Sequence, residues 1–570
     1  MQAAIGAYQA GNLADARARV GDVLLAAPET PDALHLDGLI LLQQGALAAA
    51  VQRFAGAVGL APDNGVYWAN FGQGLRRQGK HGEALSALDK AIALAPRFAG
   101  GYLQRGLLYQ ELHRADEALG DYRSVIALAP DQPEGYARAV KLLLATRRLE
   151  EAVAVNIQAL REMPDNGLFL SGAADGLERL SRLDEALVWA EKARAAMPDN
   201  PAAVKVWATI KRRQGDLDAA RAALEAIDCA AVAPGTARLI HAELGQIYDR
   251  LGGAARAFDH FTQQNELARR GLAESAVRKE TYLAQVAALR TAFTASGVGS
   301  WVRLEAKDII AGDDEIRTWP PVFLVGFPRS GTTLLDQMLD AHNDVAVLEE
   351  IPVLLAVRDA LAAKPGGYPG ALATLSLDEV RELRQLYWRG LEALGDDGTK
   401  LMINKLPLNI IHAGLIQRVF PEARFLLSLR HPADVVLSCF MQDFQLNASM
   451  ANFLSLEEAA HLYDQVMGLW AAYENLLPLA VHRIKYEDLI GDQAGHLRAV
   501  LDFLGLDWDA AVLDHVGHAQ TRPAIMTPSY TQVTQPIYTR AADRWRRYDA
   551  YLAPVMARLA PYIADFGYDR

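Results

Sequence analysis

Cysteine is scarce in this chain: two residues in 570, Cys229 and Cys439, far apart in sequence. Two such thiols build no disulfide framework, and without a CxxC pair or a His/Cys cluster the sequence offers no structural zinc site and predicts no bound metal. Positive charge is also in deficit, with 57 Lys and Arg against 69 Asp and Glu, a net charge of −12, and no long basic run. That deficit argues against general binding to nucleic acid or to an anionic membrane, and leaves room only for a local basic pocket. Long apolar runs are missing too: none approaches the roughly 18 to 20 residues of a bilayer-spanning helix. The first stretch, Met1 to Val20, lacks a basic segment followed by an apolar one and reads as a polar, alanine-rich helix. The expectation is a cytoplasmic protein with no membrane and no nucleic-acid partner. What is abundant is apolar side chain, 51% of residues against 22% charged, which is the balance of folded globular domains rather than of disorder. The length admits three or four ordinary domains, or one repeat array and one large domain.

Periodicity decides between these. Pro28, Pro62, Pro96, Pro130, Pro164 and Pro198 follow one another at 34 residues, as do Ala16, Ala50, Ala84, Ala118, Ala152, Ala186 and Ala220. At a third phase stand Gly38, Gly72 and Gly106, then Val140, Ala174 and Ala208; at a fourth stand Leu34, Trp68, Tyr102, Tyr136, Leu170 and Val204. Small residues let two antiparallel helices approach closely, a large apolar one fills the space beside them, and proline ends the second helix. A period of 34 with these residue types at fixed phases resembles the tetratricopeptide repeat (TPR), a helix–turn–helix unit. A weaker, shifted copy around Tyr248, Gly252, Ala257 and Phe258 suits an atypical end repeat. The array is therefore expected over residues 1–270 as an all-α solenoid, whose concave surface would take a protein or peptide partner. Residues 271–318 read as a helical, then irregular, connector.

The remainder, 319–570, opens with a buried-strand pattern, Pro321 to Val325, running into Gly326-Phe327-Pro328-Arg329-Ser330-Gly331-Thr332-Thr333 and then into a segment of helical spacing. Strand, glycine loop and helix form the arrangement in which backbone N–H groups cradle a phosphate-like anion. The glycines keep the spacing of a nucleotide phosphate loop, but Thr332 stands where the lysine that reaches a triphosphate would be. A second unit follows: the apolar strand Arg424 to Arg430, then His431-Pro432-Ala433-Asp434 opening a helix that carries Ser438. An arginine at a strand end and a hydroxyl on the next helix can address one phosphate together.

The string FPRSGTT resembles the 5′-phosphosulfate loop of sulfotransferases that use 3′-phosphoadenosine 5′-phosphosulfate (PAPS). Val325–Glu350, INKLP at Ile403–Pro407, YEDL at Tyr486–Leu489, LDFLGLDW at Leu501–Trp508 and the terminal GYDR are most similar to the tyrosylprotein sulfotransferases. Fusion to a repeat array is familiar from bacterial members of that superfamily. The resemblance implies a P-loop-like α/β domain with a central parallel sheet, PAPS as cosubstrate and no metal. It implies that Arg329, Ser330, Gly331, Thr332 and Thr333 hold the phosphosulfate end, that Arg430 and Ser438 hold the 3′-phosphate, and that Tyr486 and Arg544 touch the nucleotide. It makes Glu350, second of a Glu-Glu pair seventeen residues after Thr333, the base for an acceptor hydroxyl, and Lys405, Arg329 and Ser529 the groups that stabilise developing negative charge. The expected reaction is sulfuryl transfer to a hydroxyl, a protein tyrosine first and a glycan or small molecule second; a non-catalytic nucleotide-binding scaffold is the distant third. Pro352 and Ala356 stand where the family carries arginines that meet acidic peptide, and Gln442 replaces a cofactor-binding arginine, so recognition of acidic tyrosine sequences is not implied.

Overall fold

The computed structural model describes residues 1–311, 319–521 and 543–569. By compactness the chain divides into Met1–Leu180 with Asp184–Met197, and Ser181–Leu183 with Pro198–Arg570. The spacing argument set the repeat boundary at 270; the division by compactness falls at Pro198, because the later repeat-like helices pack into the second unit.

In the first unit the period of 34 is a period of helix pairs. First helices begin at Pro31, Gly65, Ala99, Pro133 and Gly167, second helices at Leu47, His81, Ala115, Leu149 and Leu183. Pro62 and Pro96 lie just past the ends of their second helices, Leu47–Leu60 and His81–Leu94, where a missing N–H costs nothing. The glycine phase is a close approach: a Cβ on Gly72 would sit 2.5 Å from Leu88 Cγ on the second helix of its pair. Buried alanines at the second phase, such as Ala50, Ala84 and Ala118, complete that contact.

The second unit begins with more helix pairs, Pro201–Gln214 with Leu217–Glu225 and Pro234–Arg250 with Ala254–Ala273. The expected connector carries helices at Glu280–Ala292, Ala295–Gly299 and Ala306–Ile310. Its Phe293 packs edge-on against Tyr473, with ring centroids 4.7 Å apart, so this stretch belongs to the core beneath the sheet rather than to a free linker. The sheet has five parallel strands: β1 (Val322–Gly326), β2 (Val345–Glu349), β3 (Leu401–Lys405), β4 (Arg424–Leu429) and β5 (Ala480–Lys485). Their order is β2-β3-β1-β4-β5. β1 is buried at every residue, as a central parallel strand covered on both faces must be. The connection leaving β1 turns toward β2 and the one leaving β4 turns toward β5. The crevice at the carboxyl ends of β1 and β4 is thus the topological switch point, where open α/β sheets bind ligands.

Candidate active site

The loop after β1 enters the helix Thr332–Asp340 through Gly331, whose φ of +105° only glycine adopts without strain. A Cβ there would lie 2.9 Å from the Tyr486 ring, so the loop also needs glycine for space. Three consecutive loop carbonyls are tied down from β4 and the helix that follows it, Pro432–Met441. Cys439 Sγ donates to Pro328 O (3.3 Å), Arg430 to Arg329 O (3.4 Å) and Ser428 Oγ to Ser330 O (3.0 Å). With these carbonyls held, the first N–H groups of Thr332–Asp340, which have no partner inside the helix, remain available to an anion. Burial pushes the Cys439 thiol far up, so it stays an inert donor.

Arg329 sits in the left-handed region, at φ +71°, and its Nε donates to Ser438 Oγ at 3.0 Å. The residues expected at the two ends of the donor therefore touch. The Arg430 guanidinium lies over the Tyr486 ring, 4.9 Å from its centroid, and 3.8 Å from Asp434. Tyr486 reaches the crevice because β5 ends at Lys485 and the short helix Tyr486–Gly491 starts there.

The second half of the site stands at the ends of β2 and β3, strands whose register sets Glu349 beside Lys405. Glu350 N–H donates to Lys405 O at 2.8 Å, which turns Glu350 to φ +52° just past the strand. Two non-glycine residues with positive φ in one crevice mark backbone strain held in place by the surrounding structure. Lys405 Nζ lies 3.2 Å from Glu350 Oε1, 3.5 Å from Thr333 Oγ1, 3.9 Å from Glu349 Oε1 and 3.1 Å from Asp336 Oδ2. Burial works against the Lys405 charge, but Asp336, Glu350 and Glu349 together outweigh it and hold the ammonium above the usual lysine value.

Residues 320–510 match the sulfotransferase family, and residues 1–65 and 70–133 match the tetratricopeptide repeat. The chain joins TPR repeats to a sulfotransferase-family domain. Over 271 residues it is 28% identical to protein-tyrosine sulfotransferase 2 of Gallus gallus, covering 44% of this chain and 70% of that enzyme. An uncharacterized protein of Aquifex aeolicus is 28% identical over 244 residues, 41% of this chain and 32% of that protein, so the chain spans less than half of that relative. A thermophilic TPR protein of Thermus thermophilus, of solved structure, is 27% identical over 31% of this chain and 95% of its own, with a TM-score of 0.27.

Of the expected sulfotransferase site residues, the crevice brings together Arg329, Ser330, Gly331, Thr332, Thr333, Glu350, Lys405, Arg430, Ser438 and Tyr486. Ser529 lies outside the described residues. Arg544 belongs to the one-turn segment Arg544–Tyr548, which docks on the Pro432 helix. The next residue, Trp545, donates its N–H to Asp434 Oδ1 (2.9 Å) and stacks on His431 (4.7 Å), while Arg544 itself lies 3.5 Å from Asp249 Oδ2. The YEDL and GYDR strings have a shared structural task, since Glu487 accepts from His431 N–H (3.0 Å) and from the Tyr568 hydroxyl (2.8 Å). Asp336 and Asp434 escaped the sequence reading. The available signal for Asp336 was a carboxylate three residues after Thr333, hence on the same helix face, in an otherwise apolar turn.

Proposed function

We propose that the sulfotransferase domain transfers a sulfuryl group from PAPS to an acceptor hydroxyl, a protein tyrosine in the first instance, with the TPR array binding a protein or peptide partner in the cytoplasm. The observation that carries the reading is Lys405, buried and charged, between the anion loop at Thr333 and the half-buried carboxylate Glu350. The residues suit the donor. Ser330 Oγ is buried with no hydrogen-bond partner among the described residues, an atom that an anion seated in the loop would satisfy. Arg329, Arg430 and Lys405 supply positive charge around it.

When bound, PAPS supplies an activated sulfuryl group. The chain's own residues do the rest. The loop N–H groups and Ser330 orient the phosphosulfate end, and Arg430 with Ser438 holds the 3′-phosphate. Glu350 takes the acceptor's proton at its Oε. Lys405 and Arg329 place positive charge where negative charge develops on the donor side.

The test is transfer of labelled sulfate from PAPS to tyrosine peptides and to small hydroxyl acceptors, with calorimetry of 3′-phosphoadenosine 5′-phosphate binding. Glu350→Gln should lower turnover at least about a hundredfold and leave nucleotide binding within about twofold. No turnover with any acceptor, together with no nucleotide binding, sinks the reading. Pro352 and Ala356, which replace the family's arginines, favour a second acceptor class. Turnover of small or glycan hydroxyls alone would establish it over tyrosine.

A further inference from the structure

The lysine at the end of β3 answers to more carboxylates than the proposed chemistry uses. Asp336 is 0% exposed, as is Lys405, whereas the side chain of Glu350 is 36% exposed. Asp336 rises from the same face of the loop helix as Thr333, and both lie within reach of Lys405 Nζ, at 3.1 and 3.5 Å. Gln337 Nε2 donates to the other oxygen, Asp336 Oδ1, at 2.7 Å, so the carboxylate is anchored on both sides. From β2, Glu349 and Glu350 approach at 3.9 and 3.2 Å. A buried ammonium must keep a charge partner, and a base cannot take a proton while it serves as that partner. Of the three carboxylates around Nζ, Glu350 is the most open to solvent and so to an acceptor, at 36% against 9% for Glu349, and Asp336 is fully buried.

We propose that Asp336 is a positioning residue for Lys405: a buried carboxylate that retains the ammonium in the crevice while Glu350 turns to the acceptor hydroxyl. This rests on the sulfotransferase reading above. With Asp336 in place, release of Glu350 leaves Lys405 paired and charged. Without it the ammonium is drawn to the β2 carboxylates, Glu350 is held in an ion pair, and Lys405 loses one of the three carboxylates that keep its proton at high pH.

Asp336→Asn and Asp336→Glu, each checked by thermal melting and nucleotide calorimetry, test this against wild type in the labelled-sulfate assay. Asp336→Asn should lower kcat at least about tenfold with the donor KM within about twofold. It should also move the high-pH limb of kcat down by about one pH unit or more. Asp336→Glu should restore the limb. An Asn variant with wild-type kcat and an unmoved limb overturns the proposal. If Asp336→Asn fails to fold, lysine Cε NMR of Glu350→Gln, in which Glu350 no longer pairs with the ammonium, decides: Lys405 titrating above the ordinary lysine value supports the role, and at or below that value overturns it. Absence of turnover and of nucleotide binding in wild type would count against the sulfotransferase reading, while the NMR titration would still judge Asp336.

Discussion

Gly331 carries two constraints at one position: its φ of +105° and the 2.9 Å between a would-be Cβ and the Tyr486 ring. An alanine there must either stay in the left-handed region, at a cost of about 1–2 kcal/mol, and push Tyr486 away from its stack under Arg430, or leave that region and shift the loop. Either shift moves the loop N–H groups and Arg430, the proposed 3′-phosphate ligand, together. Gly331→Ala should therefore weaken binding of 3′-phosphoadenosine 5′-phosphate more than about tenfold, read by calorimetry, with the fold intact by circular dichroism. At this scale the sequence marked the residues that the crevice brings together, because the loops that carry them set their spacing: Arg329 to Thr333 in one string, Arg430 and Ser438 in another. Asp434 was not legible. Its role comes from Trp545 N–H, 111 residues away in the chain, and no local pattern announces such a partner.

At the scale of elements, the repeat turns share a conformation that their residue types conceal. Gly11, Gly45, Gly79 and Gly215 all take positive φ at one phase of the period of 34, and so do His113, Arg147 and Ser181, at 58°, 62° and 60°. The first helix of each pair ends in a left-handed residue that starts the second, and three turns make that bend without glycine. His113 is exposed at its turn. His113→Gly should stabilise the first unit by about 0.5–1 kcal/mol in a denaturant melt, the left-handed strain relieved exceeding the added unfolded-chain entropy. A neutral or destabilising result would show that His113 earns its place through contacts. The strands divide in the same way. β1 and β4 were legible as apolar runs before glycine or proline. β2 alternates buried with half-buried residues, and β5, at the sheet edge, fully buries only Ile484, so neither has the unbroken apolar pattern of a central strand.

The second unit as a whole holds a buried imidazole that it cannot easily let charge. His412 is buried, its Nδ1 lies 2.8 Å from the Tyr368 hydroxyl, and burial pushes its pKa down to about 3. The unfolded chain takes up that proton near pH 6.5. Between these values the unfolded state binds more protons than the folded one, so stability rises with pH across the window and is lost as pH falls from about 6.5 toward 3. Denaturant melts from pH 7 to pH 4 should show this slope, and His412→Gln should flatten it; an unchanged slope would place the acid sensitivity elsewhere. Lys405 acts in the opposite sense. Its raised pKa contributes stability that is fully present below the ordinary lysine value and is lost only at higher pH.

The sequence by itself determined the two kinds of module, the repeat period and the strand–glycine loop–helix unit, because each is written in short-range spacing, whereas Glu350 and Lys405 were singled out only by the family resemblance. Tertiary structure alone decided where the chain divides and what surrounds Lys405. Asp249, in the helix Pro234–Arg250, accepts from Arg547 (3.0 Å) and the Tyr548 hydroxyl (2.8 Å) across some 300 residues of chain, binding the later repeat-like helices into the second unit. Asp336 faces Lys405 only because β1 and β3 are neighbours in the sheet. Spacing along a chain reports its local periods, whereas burial and charge pairing depend on which strands become neighbours, and that is settled only when the sheet closes.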